Sequence, residues 1–223
     1  MTKPLTIAVD GPGSAGKGTV AKGAARALGF QYVDTGAMYR AVALHCQRRG
    51  VAWNDEAGAA EVARGLQFSF LWDGDVLRIV VNDEDISGLI RTADIGKGAS
   101  DVSALPGVRA ALLELQRELG AKGGVVMDGR DIGTVILPDS ELKVFLVATL
   151  DERARRRHEE LQRFGEVQSF ADVRDQLAYR DKQDSEREIA PLQQADDAVI
   201  VDTTDMTIPQ AVGAILALAR AIR

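Results

Sequence analysis

The chain's 223 residues suffice for one large α/β domain or a domain with an insertion, and its net charge of −6 argues against a nucleic-acid surface as the main function, while leaving room for a local basic cleft. A lone cysteine, Cys46, excludes a disulfide framework, and the two histidines, His45 and His158, stand too far apart to suggest a metal cluster. There is no charged, apolar, small-residue leader and no run of roughly 18 apolar residues, so neither secretion nor membrane insertion is expected.

Leu5 to Val9 is an apolar run that reads as a buried strand. It stops at a glycine-rich turn, Asp10-Gly11-Pro12-Gly13-Ser14-Ala15-Gly16-Lys17-Gly18-Thr19, and a helical pattern follows with Val20, Ala24, Ala27 and Leu28 on one face. Gly11, Gly16 and Lys17 fit the spacing G-x-x-x-x-G-K of a phosphate-binding loop. Glycines let the backbone bend until several N–H groups point at one anion, and the helix N-terminus adds partial positive charge. Lys17 can then reach the β- and γ-phosphates as a compact cation. Gly18 stands where a serine or threonine usually follows the lysine, with Thr19 one place later. The usual hydroxyl ligand to Mg²⁺ is therefore displaced, and phosphate oxygens and water are expected to hold the ion.

A second strand, Gln31 to Val33, ends at Asp34-Thr35-Gly36, where a helix begins with Thr35 as its N-cap. Arg40 follows in the opening turns, so this turn reads either as a second phosphate grip or as a plain cap with a surface arginine. From Val51 to Asp101 the texture changes. Glu56 to Leu66 reads as a short helix, and Gln67 to Trp72 and Leu77 to Asn82 as strands around the turn Asp73-Gly74-Asp75. This is a small β-rich insertion with Ser100 at its far end. Pro106 opens a helix through Leu119, with Arg109 in its first turns.

Gly124 to Met127 is a third buried strand ending at Asp128-Gly129-Arg130-Asp131. Ligands collect at the carboxyl ends of parallel strands, although charges around a glycine also make an ordinary turn. Leu142 to Val147 is a fourth strand, and Asp151 caps a helix carrying Arg153, Arg155, Arg156 and Arg157. Phe164-Gly165-Glu166 breaks that helix before another starts near Ser169, which makes a hinged flap able to bring arginines over a triphosphate. Arg180, Asp184 and Arg187 recur at spacings of four and three and share one helical face. Val199 to Val201 is the last strand, and Thr207 caps a closing amphipathic helix with Ile208, Val212, Ile215, Ala219 and Ile222 inward. Alternating strands and helices give a three-layer α/β domain on a parallel β-sheet. Two facing phosphate sites under a cationic flap suit phosphoryl transfer between two bound molecules better than hydrolysis.

The blocks Gly11 to Thr19, Asp34-Thr35-Gly36-Ala37-Met38-Tyr39-Arg40, Asp128-Gly129-Arg130-Asp131-Ile132-Gly133-Thr134 and Arg180-Asp181…Asp184…Arg187 resemble those of the bacterial cytidylate kinases, a nucleoside monophosphate kinase family within the P-loop kinases. The likeness runs in order over nearly the whole chain. The Gly-Lys-Gly-Thr ending is shared by nucleoside monophosphate kinases generally, whereas the Thr-Gly-Ala-x-Tyr-Arg and Gly-Arg-Asp blocks together are far more specific. The resemblance implies a single P-loop kinase domain over 1–223, with a core of 1–54, 102–150 and 185–223, a monophosphate-binding insertion at about 55–101 and a helical arginine lid at about 151–184. It implies ATP-dependent phosphorylation of CMP and dCMP in pyrimidine nucleotide metabolism.

By the same resemblance Gly11, Pro12, Gly13, Ser14, Ala15, Gly16, Lys17, Gly18 and Thr19 hold ATP, and Thr35, Arg40 and Arg130 lie near the CMP phosphate. Ser100, Arg109 and Asp131 read cytosine, while Arg180, Asp184 and Arg187 surround the sugar and phosphate. Lys17, Arg130, Arg153 and Arg157 carry the catalytic charge, the last two chosen because residues four apart share a helix face. Mg²⁺ is expected through the ATP phosphates and water, with no protein metal ligand, in a cytoplasmic monomer that has no nucleic-acid or membrane partner. A GTP-binding switch would need an Asn/Thr-Lys-x-Asp guanine reader, and the nearest stretch, Asp181-Lys182-Gln183-Asp184, lacks the first residue and lies on a helix. A kinase for another small molecule shares the physical arguments and is set aside only by the specific blocks.

Overall fold

The computed structural model describes residues 4–74, 76–163 and 165–222. In chain order the elements are β1 (Thr6–Asp10), α1 (Lys17–Leu28), β2 (Gln31–Asp34), α2 (Thr35–Arg49), α3 (Glu56–Arg64), β3 (Phe68–Asp73), β4 (Val76–Val81) and β5 (Glu84–Asp85). After a 3₁₀ turn come α4 (Ala93–Ser103), α5 (Pro106–Ala121), β6 (Val125–Asp128), a π-helical turn at Ile132–Ile136, β7 (Leu142–Val147), α6 (Leu150–Arg163), α7 (Phe170–Glu186), β8 (Val199–Asp202) and α8 (Ile208–Ala221). They divide into two compact units, Met1–Tyr32 with Lys122–Arg223, and Val33–Ala121.

The main sheet has five strands in the order β2-β6-β1-β7-β8. β1 pairs in parallel with both β6 and β7, and β7 in parallel with β8. Every residue of β1 and β6 is buried, which is why both read as unbroken apolar runs; a parallel sheet covered by helices on both faces allows no alternation. β8 is an edge, and its Val199 and Ile200 stay exposed while Val201 is buried. No described helix is long and apolar enough to cross a membrane.

Several local expectations shift by one face or one turn. The buried side of α1 is Val20, Ala21, Ala24 and Ala25, while Ala27 is exposed. The closing helix buries Ala211, Ile215 and Ala219 and leaves Ile208 and Ile222 in solvent. Thr207 does cap it, its N–H donating to the Gln210 side chain at 2.9 Å. Asp34, rather than Thr35, is the N-cap of α2 and accepts from the Ala37 N–H at 2.7 Å. Asp151 lies inside α6, where a carboxylate suits the positive end of the helix, and Arg187 sits just past α7 on extended backbone. The expected break at Phe164 lies outside the described residues, as does Asp75 of the hairpin turn.

In the second unit β3 and β4 pair antiparallel from Phe68 opposite Val81 to Asp73 opposite Val76, as the hairpin signal implied. The unit is nonetheless mostly helical. α4 was hidden in the sequence because Ala93–Ser103 carries Gly96 and Gly98, both poor helix formers. Gly98 is required by packing: a Cβ there would lie 2.4 Å from the Trp53 indole, whose Nε1 donates to the Ala43 carbonyl at 3.0 Å. Gly98→Ala should therefore lower the unfolding free energy by about 1–3 kcal/mol through overpacking, measured by urea denaturation.

Candidate active site

The first unit builds an anion site at the carboxyl end of β1. Gly11 adopts φ 146°, and a Cβ on it would fall 2.0 Å from the Leu146 carbonyl oxygen of β7, so only glycine lets the chain leave the sheet there. Gly16, at φ 92°, caps α1 without a side chain, so no side-chain oxygen competes for the first-turn N–H groups. Lys17 is buried and donates from Nζ to the Pro12 carbonyl at 2.8 Å. Burial, seconded by the Arg130 charge and opposed by Asp128, Asp10 and Asp184, pushes its pKa down to about 7.

α6 closes on the same loop. Arg153 donates to the Gly13 carbonyl at 3.2 Å and to the Ala148 carbonyl at 3.0 Å, and pairs with Asp181 at 2.7 Å. Arg156 donates to the carbonyls of Ala15 (3.3 Å) and Thr203 (2.6 Å), and its Nε meets Glu152 at 2.8 Å. Arg157 pairs instead with Glu160 at 2.8 Å. Arg156 therefore belongs beside Arg153 at the loop, although the sequence reading passed over it. Residues three apart share a helix face as well as residues four apart do, and only packing decides between them.

Arg130, at the end of β6, donates from Nε to Asp184 at 2.8 Å and brings its other end within 3.6 Å of where a Cβ on Gly13 would stand. Burial works against the Asp184 carboxylate, but Arg130 and then Arg180 outweigh it and hold its pKa below the usual range. Arg187 donates to the Ala190 carbonyl at 2.6 Å and to Asp131 at 3.4 Å. Arg130, Asp131, Arg180, Asp184 and Arg187 thus form one network in the unit that carries the anion loop. Tyr32 donates to Asp128 at 2.7 Å, and its hydroxyl lies 3.3 Å from where a Cβ on Gly18 would stand. A serine or threonine at position 18 would press on that phenol, which would have to give by a few tenths of an ångström. Asp10, also passed over, accepts from the Ile132 and Gly133 N–H groups.

The second unit gathers the remaining residues on α2, α4 and α5. Thr35 is buried in the first turn of α2, and Arg40 pairs with the capping Asp34 at 2.9 Å. Arg109 is buried, with its guanidinium 5.9 Å from the Tyr39 ring centroid, and donates to the Ser103 carbonyl at 3.4 Å. Ser103 in turn donates to the carbonyl of Ser100 at 2.9 Å. Among the described residues no three His, Cys, Asp or Glu side chains are grouped to hold a metal ion.

A parallel sheet with a glycine-rich anion loop after its central strand, roofed by arginines, defines a P-loop kinase fold. A gluconokinase from Sinorhizobium meliloti 1021 has a similar fold, with a TM-score of 0.50 at 16% identity, over 100% of this chain and 95% of that one. The cytidylate kinase family profile matches residues 7–221, and the chain belongs to that family. It is 51% identical to a cytidylate kinase of Geobacter sp. (strain M21) over 92% of this chain and 88% of that protein. It is 46% identical to one of Exiguobacterium sp. (strain ATCC BAA-1283 / AT1b) over 96% of each.

The lowered pKa of Lys17 has a sign that calorimetry can read. Above pH 7 the nucleotide-free lysine is partly neutral, and a phosphate beside it favours the charged form. ATP binding at pH 8 should therefore take up close to one proton, measured from the dependence of binding heat on buffer ionisation enthalpy, and the uptake should shrink towards pH 6.

Proposed function

We propose that the chain transfers the γ-phosphoryl group of ATP to CMP or dCMP, giving ADP and the corresponding diphosphate. The observation that carries this reading is Arg130, placed over the anion loop by its bond to Asp184. A cation at that point can touch the group in transit and neutralise charge as it develops. Gly11 to Thr19 hold the ATP phosphates, with Lys17 the cation inside the loop. Thr35, Arg40 and Arg130 hold the CMP phosphate, and Arg180, Asp184 and Arg187 surround the sugar. Ser100, Arg109 and Asp131 read the base. Asp131 can only accept a hydrogen bond and Arg109 can only donate, which suits the N4 amino group and the N3 or O2 acceptors of cytosine and opposes uracil.

Alignment supplies much of the rate, since well-oriented reactants have about 7–11 kcal/mol available from proximity alone. The acceptor phosphate is already largely ionised near neutral pH, so no general base is required. Gly18 in the hydroxyl position fits a Mg²⁺ ion that would rest on phosphate oxygens and water and would supply charge shielding there. Arg153 already lies against the loop. Arg157, held by an ion pair with Glu160 on a half-exposed face, exchanges that partner for ATP. A cytoplasmic monomer with no nucleic-acid or membrane partner is the simplest setting for this reaction.

A coupled ADP-release assay across CMP, dCMP, UMP, AMP, GMP and shikimate should show turnover with CMP and dCMP far above the others. ATP hydrolysis as fast without CMP as with it would remove the two-substrate mechanism. In the same assay Asp131→Asn should narrow the CMP-over-UMP ratio in kcat/KM by about tenfold, mostly by losing CMP, because a buried donor is left without its acceptor. Equal loss of CMP and UMP activity would make Asp131 an orienter of its arginine neighbours instead.

A further inference from the structure

Asp10 ends β1, is only 5% exposed, and uses both carboxylate oxygens. Oδ1 accepts from the Ile132 N–H at 2.8 Å and Oδ2 from the Gly133 N–H at 2.7 Å. Those amides open the π-helical turn Ile132–Ile136, directly after Arg130 and Asp131. The residue in the N-cap position is Asp131, yet its side chain makes no cap hydrogen bond; the cap comes instead from a residue more than 120 positions earlier. Asp131 is thereby released from the usual task of an aspartate at a helix start, and its carboxylate meets Arg187.

We propose that Asp10 is a positioning residue for CMP: by capping the turn at Ile132 from β1, it sets the Arg130–Asp131 turn against the phosphate loop, which begins at the very next residue. The proposal rests on the assignment of Arg130 and Asp131 to CMP. The phosphate loop has other anchors, through Lys17 to Pro12, Arg153 to Gly13 and Arg156 to Ala15. The Arg130–Asp131 turn keeps the Gly129 N–H to Val9 carbonyl bond and the Arg130–Asp184 pair. Loss of the Asp10 charge should accordingly displace the turn without unfolding it or disturbing the donor side.

Asparagine separates these roles. It has nearly the same shape, but one of its two polar atoms becomes a donor facing an N–H donor, so one of the two bonds is replaced by a mismatch. Protonation does similar damage. Burial raises the Asp10 pKa to about 6, against the two amides; the nearby Asp131 charge adds to the rise and Lys17 opposes it. Lys143 on β7 flanks the same amide, its Cδ lying 3.1 Å from where a Cβ on Gly133 would stand.

Steady-state kinetics of Asp10→Asn in the full chain, with CMP and ATP varied separately, tests the proposal. KM for CMP should rise about tenfold, the effect of one lost buried acceptor, while KM for ATP moves less than about threefold. Equal changes in both, or none in either, would overturn it. If the variant does not fold, amide NMR of the nucleotide-free wild-type chain decides. The Ile132 and Gly133 signals should shift together with a midpoint near pH 6, and static Ile132 and Gly133 signals would overturn it. Wild-type protein inactive on CMP would instead sink the substrate reading, a result distinct from either.

Discussion

The site depends on how three carbonyls of one loop are turned. Pro12, Gly13 and Ala15 each present their oxygen to a cation, respectively Lys17, Arg153 and Arg156. In a planar trans peptide the carbonyl and the following N–H point in opposite directions. Fixing the Gly13 and Ala15 oxygens on the arginines of α6 therefore aims the N–H groups of Ser14 and Gly16 the other way, where an anion can collect them. Positive φ at Gly11, Ser14 and Gly16 is what the backbone adopts to do this. The arginines thus act on the loop before they act on any ligand.

That arrangement needs β1 at the centre of the sheet. Flanked by β6 and β7, its carboxyl end lies beside the ends of both neighbours. β6 delivers Asp128, Arg130 and Asp131, and β7 leads through Ala148 into α6 and its arginines. Burial of Ile7, Ala8, Val9, Val125, Val126 and Met127 fixes these ends relative to one another, because a close-packed core gives little. Precision at the loop is a property of the strands behind it.

The same contrast explains what could be read from residues alone. β1 and β6 were legible because a strand buried on both faces is largely apolar, β7 because its buried Leu142, Val144 and Leu146 alternate with half-buried positions, and the loop because only glycine spacing allows its turn. The hairpin of β3 and β4 announced itself through a glycine turn between apolar runs. Features set by tertiary neighbours were not legible. Gly96 and Gly98 disguised α4, since nothing local says that an indole lies against the second of them. Arg156 lost to Arg157 because spacings of three and of four both share a face with Arg153, and only packing ranks them. Arg187 continued the helical spacing of Arg180 and Asp184, yet the chain leaves the helix there and its Nε turns to the Ala190 carbonyl. Asp10 read as the start of the glycine-rich turn, while its partners, the Ile132 and Gly133 amides, lie more than 120 residues away. Even the tight approach of Tyr32, held by Asp128, to the glycine at position 18 has no local signal.

The arginines of α6 divide by how firmly they are held. Arg153 is buried, paired with Asp181 and bonded to two carbonyls, and removing one partner of such a buried pair typically costs about 3–5 kcal/mol. Its charge is part of the standing field at the loop. Arg155 and Arg157 make pairs on the outer side of the helix, with Glu152 and Glu159 and with Glu160 respectively. Pairs of that kind contribute about 1 kcal/mol or less, within reach of a single phosphate contact. A helix built this way is rigid towards the loop and adaptable along its outer side. On the function proposed above, cover over a triphosphate needs only a change of partner at Arg157, while Arg153 and Arg156 hold the helix to the loop.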